Sequence, residues 1–266
     1  MADEFGHLVR RHVLEQSRRA HVGHIGSALA ISDLMALLYG RLLRDQDPDD
    51  PDRDRVVLSK GHAALALYAA LHLVGHITQE DLDTYCGDDS LLGVHPEHVL
   101  KGVDFSTGSL GQGLSIAAGS ALAARVQGSK RRSFVIVSDA ECNEGSIWEA
   151  VMFAAHHKLS SLIAIVDINA QQAFGYTKDV LDLEPIGAKW VAFGWDVHEI
   201  DGHDVDTMQA IVEGFDMKSG PPHVILARTT FGRGVSYMES QIKWHYWPMS
   251  EEEYAQAVDE IESVRR

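Results

Sequence analysis

The sequence predicts an α/β fold, a doubly wound and mostly parallel sheet with helices on both faces. Three observations carry that expectation. Short apolar runs at 134–137, 162–168, 197–200 and 224–227 alternate with helical patterns, as parallel strands joined by crossover helices do. Two of these runs end in oxygen-bearing turns: SDAECNEGSIWEA (138–150) begins with an acidic turn at Asp139, and LIAIVDINAQQ (162–172) reaches an amide at Asn169. If the two strands are neighbours, both side chains stand at the carboxyl edge of the sheet, where open α/β folds bind ligands. A length of 266 residues, 45% hydrophobic and 23% charged, suits one large domain with a substantial core. The chain therefore reads as a single domain over 1–266, with 231–266 as a C-terminal loop and helix extension.

Taken in order, residues 3–19 read as an amphipathic helix with Phe5, Leu8, Val9, Val13 and Leu14 on its apolar face. Gly23 and Gly26 then interrupt the pattern before a second apolar helix near Ser27, which leaves His24 on a loop between helices. The acidic run 45–54, with Pro48 and Pro51, reads as a solvated loop, and 55–58 as a short β-prone run. A buried helix is expected over 62–74, with His62 in its first turn, and a short one over 78–85 capped by Thr78. Residues 86–109 show no periodicity, and long irregular segments of this kind are often functional. Gly108, Gly111 and Gly113 precede a small-residue helix, and Ser250 with Glu253 has capping-box spacing at the head of the last helix.

A formal net charge of −16, from 39 acidic and 23 basic residues, argues against nucleic acid or an anionic membrane surface as partner. Two cysteines build no disulfide framework, the N-terminus lacks a signal-peptide core, and no apolar stretch spans a bilayer. A cytoplasmic setting is expected.

Asp139 and Asn169 are hard oxygen donors of the kind Mg²⁺ takes, with diphosphate oxygens and water completing the octahedron. Each taken alone is ordinary turn chemistry. Fifteen histidines suggest zinc, yet HExxH is absent and Pro96 spoils HPEH. His24, His62, His95 and His245 instead stand on loops or helix starts beside glycine, proline or tryptophan, whereas His156 and His157 fall within an expected helix. Cys142 reads as a small buried filler. The loop GSLGQG is neither a dinucleotide fingerprint nor a P-loop.

In chain order, VGHIGSALA, DRVVLSKGHAALALYAALHLVG, GVHPE, TGSLGQGLSIAAG, SDAECNEGSIWEA and KWH together resemble the N-terminal, diphosphate-binding half of transketolase in the form found as a separate subunit. The resemblance implies a thiamin diphosphate-binding fold of the diphosphate type and thiamine diphosphate held through Mg²⁺, Ca²⁺ or Mn²⁺. The implied metal ligands are Asp139, Asn169 and the backbone carbonyl of Gln171. The implied cofactor contacts are His62, Gly108, Ser109, Leu110, Asp139, Ala140, Glu141 and Asn169. His24, His62, His95 and His245 match active-site histidines, and Glu144 matches an acid that reaches toward a catalytic glutamate of the other half. It further implies two-carbon ketol transfer from a ketose to an aldose, with sugars or sugar phosphates as substrates. The expected partner is a C-terminal, pyrimidine-binding subunit, in an α2β2 heterotetramer.

Two departures stand out. Ser138-Asp139-Ala140 replaces the family's Gly-Asp-Gly, and Tyr246-Trp247 replaces the small residue that commonly follows the last histidine. The first motivates a reading as a degenerate scaffold, since alanine fits only where φ is negative. The closest enzymatic alternative is the α subunit of a thiamine-dependent 2-oxo-acid dehydrogenase.

Overall fold

A computed structural model describes residues 2–44 and 47–263, so Asp45 of the expected acidic loop lies outside the described residues. The main sheet holds five parallel strands: β1 (Arg55–Leu58), β2 (Ser133–Ser138), β3 (Leu162–Ile168), β6 (Asp196–Asp201) and β7 (His223–Arg228). Their order across the sheet is β1-β2-β3-β7-β6. A small antiparallel hairpin, β4 (Gln171–Gln172) and β5 (Gly175–Tyr176), follows β3 directly.

Alternation along the central strands feeds two separate cores. Phe134, Ile136, Ile163, Ile165 and Ile225 point to one face, where they meet α1 (Ala2–Ala20), α2 (Ile25–Ala30), α3 (Ser32–Leu37) and α4 (Ala64–Leu73). Val135, Val137, Ala164, Val166 and Leu226 point to the other, against α6 (Gly113–Gln127), α7 (Gly145–His156) and α9 (Ile186–Ala192). A strand buried on both faces has no polar alternation, which is why β2 and β3 read as continuous apolar runs. Each fully buried branched side chain contributes roughly 1.5–3 kcal/mol.

The remaining helices are α5 (Gln79–Leu82), α8 (Thr177–Val180), α10 (Val205–Glu213) and α11 (Glu251–Ser263). Thr78 forms a reciprocal capping box with Asp81, and Ser250 forms one with Glu253. Between Leu82 and Gly113 the described chain has neither helix nor strand, matching the unpatterned segment of the sequence. The C-terminal segment is more than an appendage: Phe231, Val235, Met238, Trp244, Met249, Ala257 and Ile261 join the first core.

Three expectations need correction. Asp54 closes the acidic run, yet it is buried rather than solvated. Its carboxylate accepts from the Arg132 backbone at 2.8 Å, the Arg132 side chain at 2.6 Å and the Arg44 backbone at 2.9 Å. The second helix begins at Ile25, and the expected 62–74 helix opens with a 3₁₀ turn, Gly61–Ala63, that carries His62. Among the described residues no helix is long and apolar enough to cross a membrane.

Candidate active site

The carboxyl edge of β1, β2, β3 and β7 is where the chain concentrates its polar burial. Strands β2 and β3 pair with Ser138 opposite Asp167, so the residues that follow them emerge side by side. The Asp139 carboxylate accepts from Ala140 N–H at 2.8 Å and, across the gap, from Ala170 N–H at 2.9 Å. Asn169 is oriented from both sides: its Nδ2 donates to Asp167 at 2.7 Å, and its Oδ1 accepts from Gln171 N–H at 3.0 Å. The structure thus brings Asp139, Asn169 and Gln171 into one loop-and-turn cluster.

Beneath that cluster lies an ion pair. Lys60, just past β1, and Asp167, inside β3, are both 0% exposed and joined by a short hydrogen bond. Thr229, just past β7, donates to the other oxygen of Asp167. Among the described residues Asp139 forms no ion pair of its own, and Lys60 acts on it only at a distance. Its burial and the neighbouring charge of Asp167 push its carboxyl up to about 7. A buried carboxyl in this state is neutralised by a proton or by a cation brought to it. Among the described residues no three His, Cys, Asp or Glu side chains converge on a metal position. The donor set of one carboxylate, one amide oxygen and one backbone carbonyl fits a hard cation that takes its other ligands from a guest.

Above the cluster stand the histidines. The ring centroids of His24 and His62 are 5.5 Å apart, and those of His62 and His245 are 6.3 Å apart. Ser27 Oγ meets His62 Nε2 at 2.9 Å, and Phe231 packs on His245 with centroids 4.6 Å apart. Burial, then the charge of Lys60, then His24 push His245 down to about 4. Burial also lowers His62 strongly and His24 less so, with Lys60 and neighbouring imidazoles adding to the effect on His62. These rings are neutral near pH 7. His24 Nδ1, His245 Nε2 and both amide atoms of Gln171 are buried without a hydrogen-bond partner, as groups awaiting a ligand are. His95 is exposed, with its ring against Gly108, and it reaches His24 and His62 electrostatically.

Comparison with known proteins decides the family. The family described as transketolase, thiamine diphosphate binding domain, matches residues 3–261. The chain belongs to the transketolase family. It is 42% identical over 258 residues to the 6-deoxy-6-sulfo-D-fructose transketolase subunit of a Clostridium strain, covering 96% of this chain and 94% of that protein. It is 38% identical to an apulose-4-phosphate transketolase subunit of Phocaeicola vulgatus, covering 95% of this chain and 90% of that one. The transketolase structure from Campylobacter jejuni superposes with a TM-score of 0.91 at 32% identity, covering 98% of this chain. This chain spans 42% of the Campylobacter chain. The transketolase match over nearly the whole length displaces the 2-oxo-acid dehydrogenase alternative.

Within the transketolase scaffold, the glycines serve close packing. A Cβ on Gly26 would come within 2.1 Å of the Phe231 ring, and one on Gly23 within 2.4 Å of the Tyr246 carbonyl oxygen. Both therefore admit the 231–247 strap, while the positive φ in that turn belongs to His24, at 61°. Gly108 and Gly111 have φ of 151° and 84°, and a Cβ on Gly111 would strike Glu144 at 2.7 Å. Leu110 is half-exposed on this loop, next to exposed Ser109. Glu144 is exposed at the head of α7.

Glu141, expected among the cofactor contacts, turns its side chain inward. It is fully buried, and its carboxylate accepts from Ser59 Oγ at 2.5 Å, Gly111 N–H at 2.9 Å and Ser138 N–H at 2.9 Å. Its side chain thereby ties the ends of β1 and β2 to the glycine loop. Ala140 opens a 3₁₀ turn with negative φ, so its methyl group needs no special backbone. The alanine in the left-handed region is Ala170, with φ of 62°.

Ser27, Ser59, Lys60, Asp167 and Thr229 are not among the site residues expected from the sequence. Lys60 and Asp167 did leave a signal, each being a lone charge inside a run otherwise bound for the core. Two concavities lie at the opposite edge of the sheet, one of about 960 Å³ lined by Arg125, Lys130, Lys158 and Lys218 among others. Chemistry, rather than volume, locates the site.

Proposed function

We propose that this chain is the diphosphate-binding subunit of a two-subunit transketolase and acts as one domain over 1–266. The observation that carries the reading is the convergence of Asp139 and Asn169 at adjacent strand ends, beside the cluster of His24, His62 and His245. Asp139, Asn169 and the Gln171 carbonyl hold a divalent cation, Mg²⁺ in the first instance and Ca²⁺ or Mn²⁺ as substitutes. His62 and the Gly108–Ser109–Leu110 loop contact the cofactor. Thiamine diphosphate, when bound, supplies the nucleophilic carbon and electron sink for breaking and making a carbon–carbon bond.

The chain's own work is orientation and proton handling. With their pKa lowered by burial, His24, His62 and His245 are uncharged, each with one donor and one acceptor nitrogen; Ser27 occupies Nε2 of His62, and the nitrogens left over meet substrate hydroxyls. His95, exposed at the rim, meets the sugar from the open side. The relatives named for sulfofructose and apulose phosphate are named for ketoses with an anionic terminus, and we assign this chain a ketose donor of that class. Relatives covered nearly end to end are named as subunits, which supports a partner subunit; we assign it the pyrimidine-binding half, in an α2β2 assembly with exposed Glu144 at the junction. Two free cysteines accord with a cytoplasmic setting.

Negative φ at Ala140 removes the motive for a degenerate scaffold. The test is co-expression with a pyrimidine-binding subunit, followed by a ketol-transfer assay with thiamine diphosphate and Mg²⁺. Turnover is expected only from the pair; comparable turnover by the chain alone would sink the split-enzyme reading. Asp139→Ala is expected to abolish cofactor-dependent thermal stabilisation of the pair, and unchanged stabilisation would move the metal site elsewhere.

A further inference from the structure

Two segments meet over the carboxyl edge of the sheet. One is the β4–β5 hairpin, which continues directly from Asn169 and Gln171. The other is the strap 231–247, which carries His245. They are joined by two hydrogen bonds of opposite direction: Tyr246 Oη donates to Ala173 O at 2.8 Å, and Tyr176 Oη donates to Ser240 O at 3.2 Å. Each segment thus supplies one phenol and one carbonyl.

We propose that Tyr176 and Tyr246 form a reciprocal clasp that makes them positioning residues, locking the metal-ligand loop to the histidine cluster. This rests on the reading of Asn169 and Gln171 as metal ligands. The path is continuous. The hairpin is closed at its base by Thr177 N–H donating to Ala170 O at 3.0 Å, so displacement of Ala173 is transmitted to Ala170 and its flanking ligands. On the other side, Tyr246 is bonded covalently to His245, whose carbonyl accepts from His24 N–H at 3.3 Å. Gly23 lets the Tyr246 carbonyl sit against the His24 turn, so the strap has no slack there. The Tyr246 ring lies 6.3 Å from His24 and 6.0 Å from His245, and at 53% exposure it forms the outer wall of the cleft. A small residue at this position has no phenol to reach Ala173, so the sequence departure at 246 acquires a role. Outer contacts of this kind set the geometry of metal ligands.

The test uses Tyr176→Phe, Tyr246→Phe and the double variant, which keep both rings and delete only the hydroxyls. Hydrogen–deuterium exchange on the full chain is expected to accelerate in both 171–177 and 240–247 in the double variant. In the reconstituted two-subunit enzyme, the half-saturating concentration of Mg²⁺–thiamine diphosphate is expected to rise about 10-fold, with turnover at saturation kept within about twofold. A merely structural loss would lower melting temperature and turnover without that split. Unchanged half-saturation, or unchanged exchange in either segment, would overturn the clasp. If the wild-type pair fails to bind Mg²⁺–thiamine diphosphate at all, the metal-site reading fails, and exchange alone decides whether the two segments are tied.

Discussion

At the scale of single residues, burial sets the chemistry of the cleft. His245 is 7% exposed, and its folded pKa of about 4 lies below the ordinary 6.5. Protonation therefore favours the unfolded chain. The stability from this group is fully present above pH 6.5 and is lost as pH falls toward about 4, on the order of 3 kcal/mol in total. His62 and His24 act in the same direction. Denaturant titrations at a series of pH values should show this slope in the wild type and a shallower one in His245→Gln; identical slopes would refute it. The four histidines were legible because glycine, proline or tryptophan flanks each one. Ser27, which meets His62, was not legible, since a lone buried serine in an apolar helix has no pattern.

At the scale of elements, the decisive piece is the turn between β3 and β4. Ala170 holds φ of 62°, which costs an alanine about 1–2 kcal/mol relative to glycine. Ala170→Gly should therefore raise unfolding stability by about 1 kcal/mol, whereas Ala140→Gly, in a negative-φ turn, should yield no gain. Urea titrations of the two variants distinguish them, and a larger gain from Ala140→Gly would contradict this backbone assignment. Motif comparison pointed to Ala140 because glycine is usual there. Only the backbone shows that the unfavourable alanine lies across the site. Strands β2, β3 and β7 were readable from apolar runs, because burial on both faces leaves no other composition available. The hairpin was not, since two-residue strands carry no period. The glycines of 23–26 were read as loop punctuation, and their actual work, admitting the strap, depends on residues some two hundred positions away.

For the molecule as a whole, the cleft rim is unusually apolar. Phe174, at the hairpin tip, is 87% exposed, and Leu110, Tyr176, Val180, Leu181 and Trp247 are exposed as well. Large exposed aromatics of this kind anchor interfaces. Phe174→Asp should weaken binding to the partner subunit by about 10-fold or more while leaving the melting temperature of the isolated chain nearly unchanged. Analytical ultracentrifugation with differential scanning fluorimetry checks both halves, and undiminished association would place the contact elsewhere. The overall architecture was legible in the sequence, but a rim of this kind was not, because exposure depends on how distant loops are arranged.

Lys60, the cation beneath the cleft, is already matched by Asp167, and His24, His62 and His245 are kept uncharged. On the proposed function the cleft would act as an electrical filter. A bare polyphosphate would meet the Asp139 carboxyl group, whereas one that carries its own divalent ion would arrive already balanced. Free magnesium in the surroundings, more than any appetite of the protein for phosphate, would then govern how full the site is.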